Sequence, residues 1–189
     1  MSGTSETAVL ATEAEISAQL CADLARLADR CIFRPEVWML CWTHTIRGQP
    51  DRLRIDFVAE LDGRLIGIEA KAPAQHAAEL GRDLLQCAQY AAGKIGANRS
   101  EVPNTWIGKS LAGVFLRTRV SRHDEWMEKH AFAAHRLYGP ANVGFLVRER
   151  RGLCLRLCGE RWWTEWSGWN QGRLTTHARV GNGSFRADA

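Results

Sequence analysis

A chain of 189 residues that is 46% hydrophobic and 24% charged has the makeup of one soluble globular domain with a sizeable core. A net charge of +4 suits a polyanionic partner without requiring one. No apolar run reaches about eighteen residues and no basic segment leads into an apolar one near the start, which argues against a helical membrane span and a secretory signal and predicts a cytoplasmic protein. The six cysteines (21, 31, 41, 87, 154 and 158) form no CxxC pair and have no histidine at zinc-finger spacing, so they read as reduced core residues.

Residues 1–11 are small and polar and read as a disordered N-terminus. Thr12 then opens a helix, with Glu15 three residues later to complete a capping box. Ile16, Leu20, Leu24, Leu27 and Cys31 recur at three- and four-residue steps, which carries the helix to about Arg30. Glu15 is accounted for as a cap, while Glu13, seven residues before Leu20, falls on the buried face. Pro35 ends the connection, and the β-formers from Val37 to Ile46 predict a first strand with Glu36 at its start. Gly48-Gln49-Pro50 turns the chain, and Asp51 reads as a solvated turn residue.

The stretch Arg54–Lys71 (RIDFVAELDGRLIGIEAK) predicts a tight hairpin about Asp62-Gly63, a pair suited to a turn that needs positive φ at both central positions. Counting outward, Leu61 faces Arg64, Ala59 faces Ile66, Phe57 faces Ile68, and Asp56 faces Glu69. Alternation puts Ile55, Phe57, Ala59, Ile66, Ile68 and Ala70 on one apolar face, and Asp56, Glu69 and Lys71 on the other. Directly opposed carboxylates destabilise a sheet unless a cation sits between them. A divalent-metal site with a charged partner is therefore the expected use of that face. A helix follows from about Ala74 to Ile95, with Leu80, Leu84, Cys87, Ala88 and Ala91 on its packed side. Gln86 and Tyr90 project together from one face of it, and Lys94 lies a turn further on.

Asp56, a hairpin-length spacer, Glu69-Ala70-Lys71 and then Gln86-Cys87-Ala88-Gln89-Tyr90 together resemble the PD-(D/E)xK nuclease superfamily, in its RecB-like branch with a QhxxY motif. The resemblance covers about Thr12 to Leu116. It implies an α/β fold: a restriction-endonuclease-like αβββαβ core with a mixed central sheet flanked by helices. It also implies a Mg²⁺- or Mn²⁺-dependent deoxyribonuclease, in which Asp56, Glu69 and the carbonyl of Ala70 hold the metal. Asp56, Glu69 and Lys71 are then the catalytic residues, while Gln86 and Tyr90 position the site and touch the nucleic acid. Members often add an acid from the first helix, and here Glu13, Glu15 and Glu36 all stand as candidates. The literal "PD" of Pro50-Asp51 lies too far along the strand to be the metal ligand. The implied partner is DNA, in phage or mobile-element DNA processing, repair or degradation, and many small nucleases of this fold form homodimers. The alternative is a catalytically silent DNA-binding or protein-interaction module.

Residues 96–109 form a polar loop placed to reach over the site, and Leu111–Leu116 suits a buried central strand. Arg117, Arg119 and Arg122 are the densest basic cluster, open to phosphate binding or to ordinary surface roles. Asp124–Tyr138 reads as a C-terminal helix, and Val143–Val147 with Gly152–Leu157 as a β-hairpin. Trp162, Trp163, Trp166 and Trp169 suit a strand covering the core better than base stacking. A single nuclease domain is expected over residues 12–170, with 171–189 a flexible tail. No G-x-G-x-x-G, Walker A, HExxH or G-x-S-x-G element points to a nucleotide-binding, zinc or serine-hydrolase chemistry.

Overall fold

The structure is a computed structural model that describes residues 12–27, 31–41, 51–61, 63–72, 77–97, 102–118, 143–148, 152–157, 160–165 and 175–177. Helix α1 spans Glu13–Ala25 and starts as its sequence directs. The Thr12 hydroxyl accepts the Glu15 N–H at 3.2 Å, and Glu15 Oε2 accepts the Thr12 N–H at 2.7 Å. It stops five residues short of Arg30, and Cys31 opens strand β1 instead of closing the helix.

Strands β1 (Cys31–Cys41), β2 (Asp51–Leu61) and β3 (Arg64–Ala70) precede helix α2 (Ala77–Ala91). A two-residue strand β4 (Lys94–Ile95), a 3₁₀ turn (Asn104–Trp106) and strand β5 (Gly113–Arg117) follow. The described chain ends in β6 (Val143–Arg148), β7 (Gly152–Leu157), β8 (Glu160–Glu165) and β9 (Thr175–His177). All nine described strands share one sheet, ordered β4-β1-β2-β3-β5-β6-β7-β8-β9. Only β3–β5 and β5–β6 run parallel, so the protein is α/β with a mixed sheet. No described helix is long and apolar enough to cross a membrane.

Helices α1 and α2 take opposite faces. Leu80, Leu84, Cys87 and Tyr90 of α2 bury against Val37, Met39, Val58, Val114 and Leu116. Leu20 and Leu24 of α1, with Leu27 just beyond it, bury against Phe57, Ala59, Ile66, Ile68 and Phe115. Each Leu, Ile, Val, Phe or Met among them contributes about 1.5–3 kcal/mol on leaving water.

The hairpin register is the one counted from its turn: Leu61 opposite Arg64, Ala59 opposite Ile66 and Phe57 opposite Ile68. Gly63 has φ of +73°, as the turn requires. The apolar face is not continuous, however. Phe57, Ala59 and Leu61 join the layer under α1, whereas Ile55, of the same parity, joins the layer under α2. β1 does the same: Cys31 and Phe33 pack toward α1, and Val37, Met39 and Cys41 toward α2. Between those halves Glu36 has φ of +55°, a conformation rare for a residue with a side chain. The paired strands thus switch faces together at Glu36 and Asp56. Ile55 can cross beneath β3 because Gly67 leaves room; a Cβ there would meet Ile55 Cδ1 at 2.5 Å and Leu111 Cδ1 at 2.7 Å.

Other expectations shift as well. Pro35 lies inside β1 opposite Phe57, tolerated because β4 pairs only with Met39 and Leu40 and no other described strand pairs with β1 on that side. Asp51 is the first residue of β2, opposite Cys41, and not a turn residue. α2 ends at Ala91, and a tight turn at Gly93 sends Lys94 into β4. Of the loop after it, the described part 102–109 is anchored by buried Trp106, which donates Nε1–H to Glu60 Oε2 at 2.6 Å, on β2 toward the hairpin turn; residues 98–101 lie outside the described residues. Arg117 is buried and donates to the Leu146 carbonyl at 3.4 Å, so it belongs to no surface cluster. β9 falls within the segment expected to be a tail. Arg119, Arg122, the helix expected over 124–138, Trp166 and Trp169 lie outside the described residues.

Candidate active site

The β2–β3 ladder stops at Phe57–Ile68, and side chains take over from backbone. Asp56 Oδ2 accepts the Ala70 N–H at 2.8 Å, where a strand carbonyl would otherwise serve. Glu69 Oε2 in turn lies 3.4 Å from the Asp56 N–H. Beyond this point β3 is held from its other side, through Ala70 opposite Arg117 and the Lys71 N–H on the Arg117 carbonyl at 2.9 Å. The strands therefore part at the two carboxylates, which face each other across the opening.

Lys71 closes the cluster. Its Nζ pairs with Glu69 Oε1 at 2.7 Å and lies 3.8 Å from Glu13 Oε1. Glu69 is almost wholly buried, at 1% exposure. Burial, with help from the neighbouring Asp56 charge, pushes its carboxyl up to about 7 against the pull of Lys71. Asp56 is also held above its ordinary range, chiefly by burial and then by the charges of Glu13 and Glu36, while the Ala70 N–H and Lys71 oppose. Burial pulls Lys71 down, but the hydrogen bond to Glu69 and the charges of Glu69, Glu13 and Asp56 outweigh it, leaving the amine raised.

Gln86 and Tyr90 form a relay to this cluster. Gln86 Nε2 donates to Tyr90 Oη at 2.8 Å, and the Tyr90 hydroxyl donates to the Arg54 carbonyl at 2.7 Å. Tyr90 is 1% exposed, so this bond ties α2 to β2 two residues ahead of Asp56. Burial and the Glu69 charge raise its phenol well above the ordinary value.

The three acidic candidates separate cleanly. Glu13 approaches Lys71 but is half exposed, not on the buried face expected from its spacing. Glu15 is the helix cap. Glu36 pairs with Arg54 at 2.7 Å on the outer surface. Two residues escaped the sequence reading. Asp83 shares the α2 face of Gln86 and Tyr90 by its three- and seven-residue spacing, and its carboxyl is raised by burial although the Lys71 charge opposes. Thr118, just past Arg117, is buried with a hydroxyl that has no hydrogen-bond partner among the described residues. The helical spacing could have flagged Asp83; nothing in the sequence marks Thr118.

Among the described residues, no three of His, Cys, Asp and Glu form a ready-made metal cluster. Asp56 and Glu69 nonetheless suit a hard divalent cation by donor type: both are carboxylates, both are withdrawn from water, and added positive charge would relieve the strain on both. Mg²⁺ keeps several of its waters, so two protein carboxylates and a carbonyl are a sufficient donor set. Comparison with protein-family models, with curated proteins and with solved structures found no match.

Proposed function

We propose that this protein is a Mg²⁺- or Mn²⁺-dependent deoxyribonuclease on a restriction-endonuclease-like core, as its resemblance to the PD-(D/E)xK superfamily implies. The observation that carries the reading is the parting of β2 and β3 at Asp56 and Glu69, with Lys71 ion-paired beside them. An ordinary surface ion-pair set is worth about 0–1 kcal/mol and gives no reason to bury a glutamate at a strand junction. A site that must concentrate charge on a bound phosphodiester does.

In this reading Asp56, Glu69 and the Ala70 carbonyl hold the metal, which when bound supplies a Lewis acid and a water acidified for attack on phosphorus. Asp56 is fixed in place by the Ala70 N–H, so its free oxygen has one orientation. Lys71 presents ammonium protons beside Glu69, where they orient a water or offset charge on the phosphoryl oxygens. Tyr90 and Gln86 hold the β2 backbone just ahead of Asp56 and keep the two carboxylates in register. Arg117, through its carbonyl, fixes the start of the segment that carries Lys71. DNA is the partner in this account, and a homodimer is the assembly the resemblance suggests.

The test is cleavage of plasmid and of short single-stranded DNA with Mg²⁺ or Mn²⁺, by wild type, Asp56→Ala and Lys71→Ala. Metal-dependent cutting that both variants lose supports the proposal, and product lengths separate endo- from exonuclease action. A folded wild type that binds DNA and cuts none of these substrates overturns it in favour of the silent DNA-binding module.

A further inference from the structure

Beyond the break at Glu36 and Asp56, the sheet continues as β4, β1 and β2 with two unlike faces. Val37, Met39, Cys41, Leu53, Ile55 and Ile95 face α2 and pack in its core. Alternation turns Trp38, Leu40, Arg52, Arg54 and Lys94 the other way. The pairing is direct: Trp38 opposite Arg54, and Leu40 opposite both Arg52 and Lys94. Residues opposite one another in a ladder share a face, so these five side chains form one patch. α1 covers the neighbouring half of the sheet, against Phe57, Ala59, Ile66 and Ile68, and not this one.

The patch has a definite chemistry. Arg52, Arg54 and Lys94 are exposed, while Trp38 and Leu40 are half-buried among them. The Arg54 guanidinium carbon stands 6.0 Å from the Trp38 ring centroid. Among the described residues of this patch and its border, the acid is Glu36, at the end nearest Asp56 and already paired with Arg54. Three cations and an aromatic ring, on a sheet face that no described helix covers, complement a strand that carries one phosphate and one unpaired base per unit. Along β2, Arg54 and Arg52 sit about 7 Å and about 13 Å from Asp56, within reach of nucleotides flanking a phosphate at that carboxylate.

We infer that this outer face is the track on which a single strand of DNA lies as it enters the site, with a base on Trp38 and phosphates on Arg52, Arg54 and Lys94. The inference rests on the nuclease reading and adds its substrate class. A duplex keeps its base faces stacked inside, so Trp38 discriminates for unpaired bases, while the cations take either form. Arg54 exchanges Glu36 for a phosphate when the strand binds.

The experiment is fluorescence anisotropy in EDTA, so that nothing is cut, with labelled oligothymidylate of roughly twelve nucleotides and a duplex of equal length. Wild type should bind the single strand more tightly. Trp38→Ala should lose about tenfold in affinity, and Trp38→Phe, which keeps a stacking ring, should recover most of it. The exposed pair Arg52→Ala/Lys94→Ala should flatten the salt dependence of binding by about 1.4 in log–log slope. Wild-type affinity and slope in all three variants, or a duplex bound as tightly as the single strand, would overturn the track. Trp38-dependent binding by a wild type that cuts nothing with metal would sink the nuclease and leave the track standing. Cutting by a wild type whose binding ignores all three variants would sink the track alone.

Discussion

The two ends of the β2–β3 hairpin solve opposite problems with the same strands. Near the turn, from Leu61–Arg64 to Phe57–Ile68, the backbone ladder is regular and the α1-facing side chains are core. Past Phe57 the ladder gives way, carboxylates replace carbonyls as acceptors, and both β1 and β2 reverse their faces. The first end spends its backbone on pairing and gains stability. The second holds charge in a buried opening, at the cost of a positive φ at Glu36 and a near-buried Glu69. The regular ladder and the charged opening are thus separated by one residue pair.

The sharpest way to break the contrast is to remove the charge at the open end. Asp56→Ala and Lys71→Ala should each lower metal-dependent cleavage by about 10³-fold or more while the protein stays folded, checked by initial rates beside thermal melts. At the closed end, Gly67→Ala should do the reverse. Its methyl collides with Ile55 and Leu111, so denaturant unfolding should show a loss of about 1–3 kcal/mol.

The junction between the ends should respond to pH. Glu69 is an acid whose folded pKa, about 7, lies above its unfolded value near 4.5. The folded protein therefore keeps a proton that the unfolded chain has lost. Its contribution is fully present below the unfolded pKa and disappears as pH rises through the folded one. Without metal, stability should fall by about 3 kcal/mol between those values, and Glu69→Gln should flatten the profile, as read by urea denaturation across pH. Tyr90→Phe tests the relay. It leaves the Arg54 carbonyl without its phenol donor, and should lower cleavage by about 10- to 100-fold with metal affinity reduced alongside. The smallest effect should come from Thr118→Val, which removes a buried hydroxyl without a partner among the described residues. Melting should show stability unchanged or slightly raised, whereas a clear loss would mean that the hydroxyl is in use.

How much of this was legible in the sequence follows the same division. The closed end could be counted from Asp62-Gly63, because a two-residue turn and a period of two leave no freedom in register. α1 and the packed side of α2 were legible for the same reason, a capping box and a helical period. The open end obeys no period. Ile55 was expected beside Phe57 because alternation has no way to announce a reversal, and a glutamate at Glu36 gives no signal for positive φ. Pro35 reads as a boundary, whereas it lies within β1 beyond the stretch that β4 pairs with. Lys94 was expected on a helix that ends at Ala91. Asp56, Glu69, Lys71, Gln86 and Tyr90 were nevertheless picked out, and the structure brings all five to one junction. Motif spacing registers which groups converge even where periodicity misjudges how the backbone gets them there.

The most direct test of the central claim, that the open end exists to hold a cation, counts bound Mn²⁺ by electron paramagnetic resonance of the free ion. Wild type should take up Mn²⁺, with Asp56→Asn and Glu69→Gln each weakening uptake by at least about tenfold and Gly67→Ala leaving its folded fraction unaffected. Equal Mn²⁺ uptake by wild type and both carboxylate variants, or none by any of them, would contradict the account.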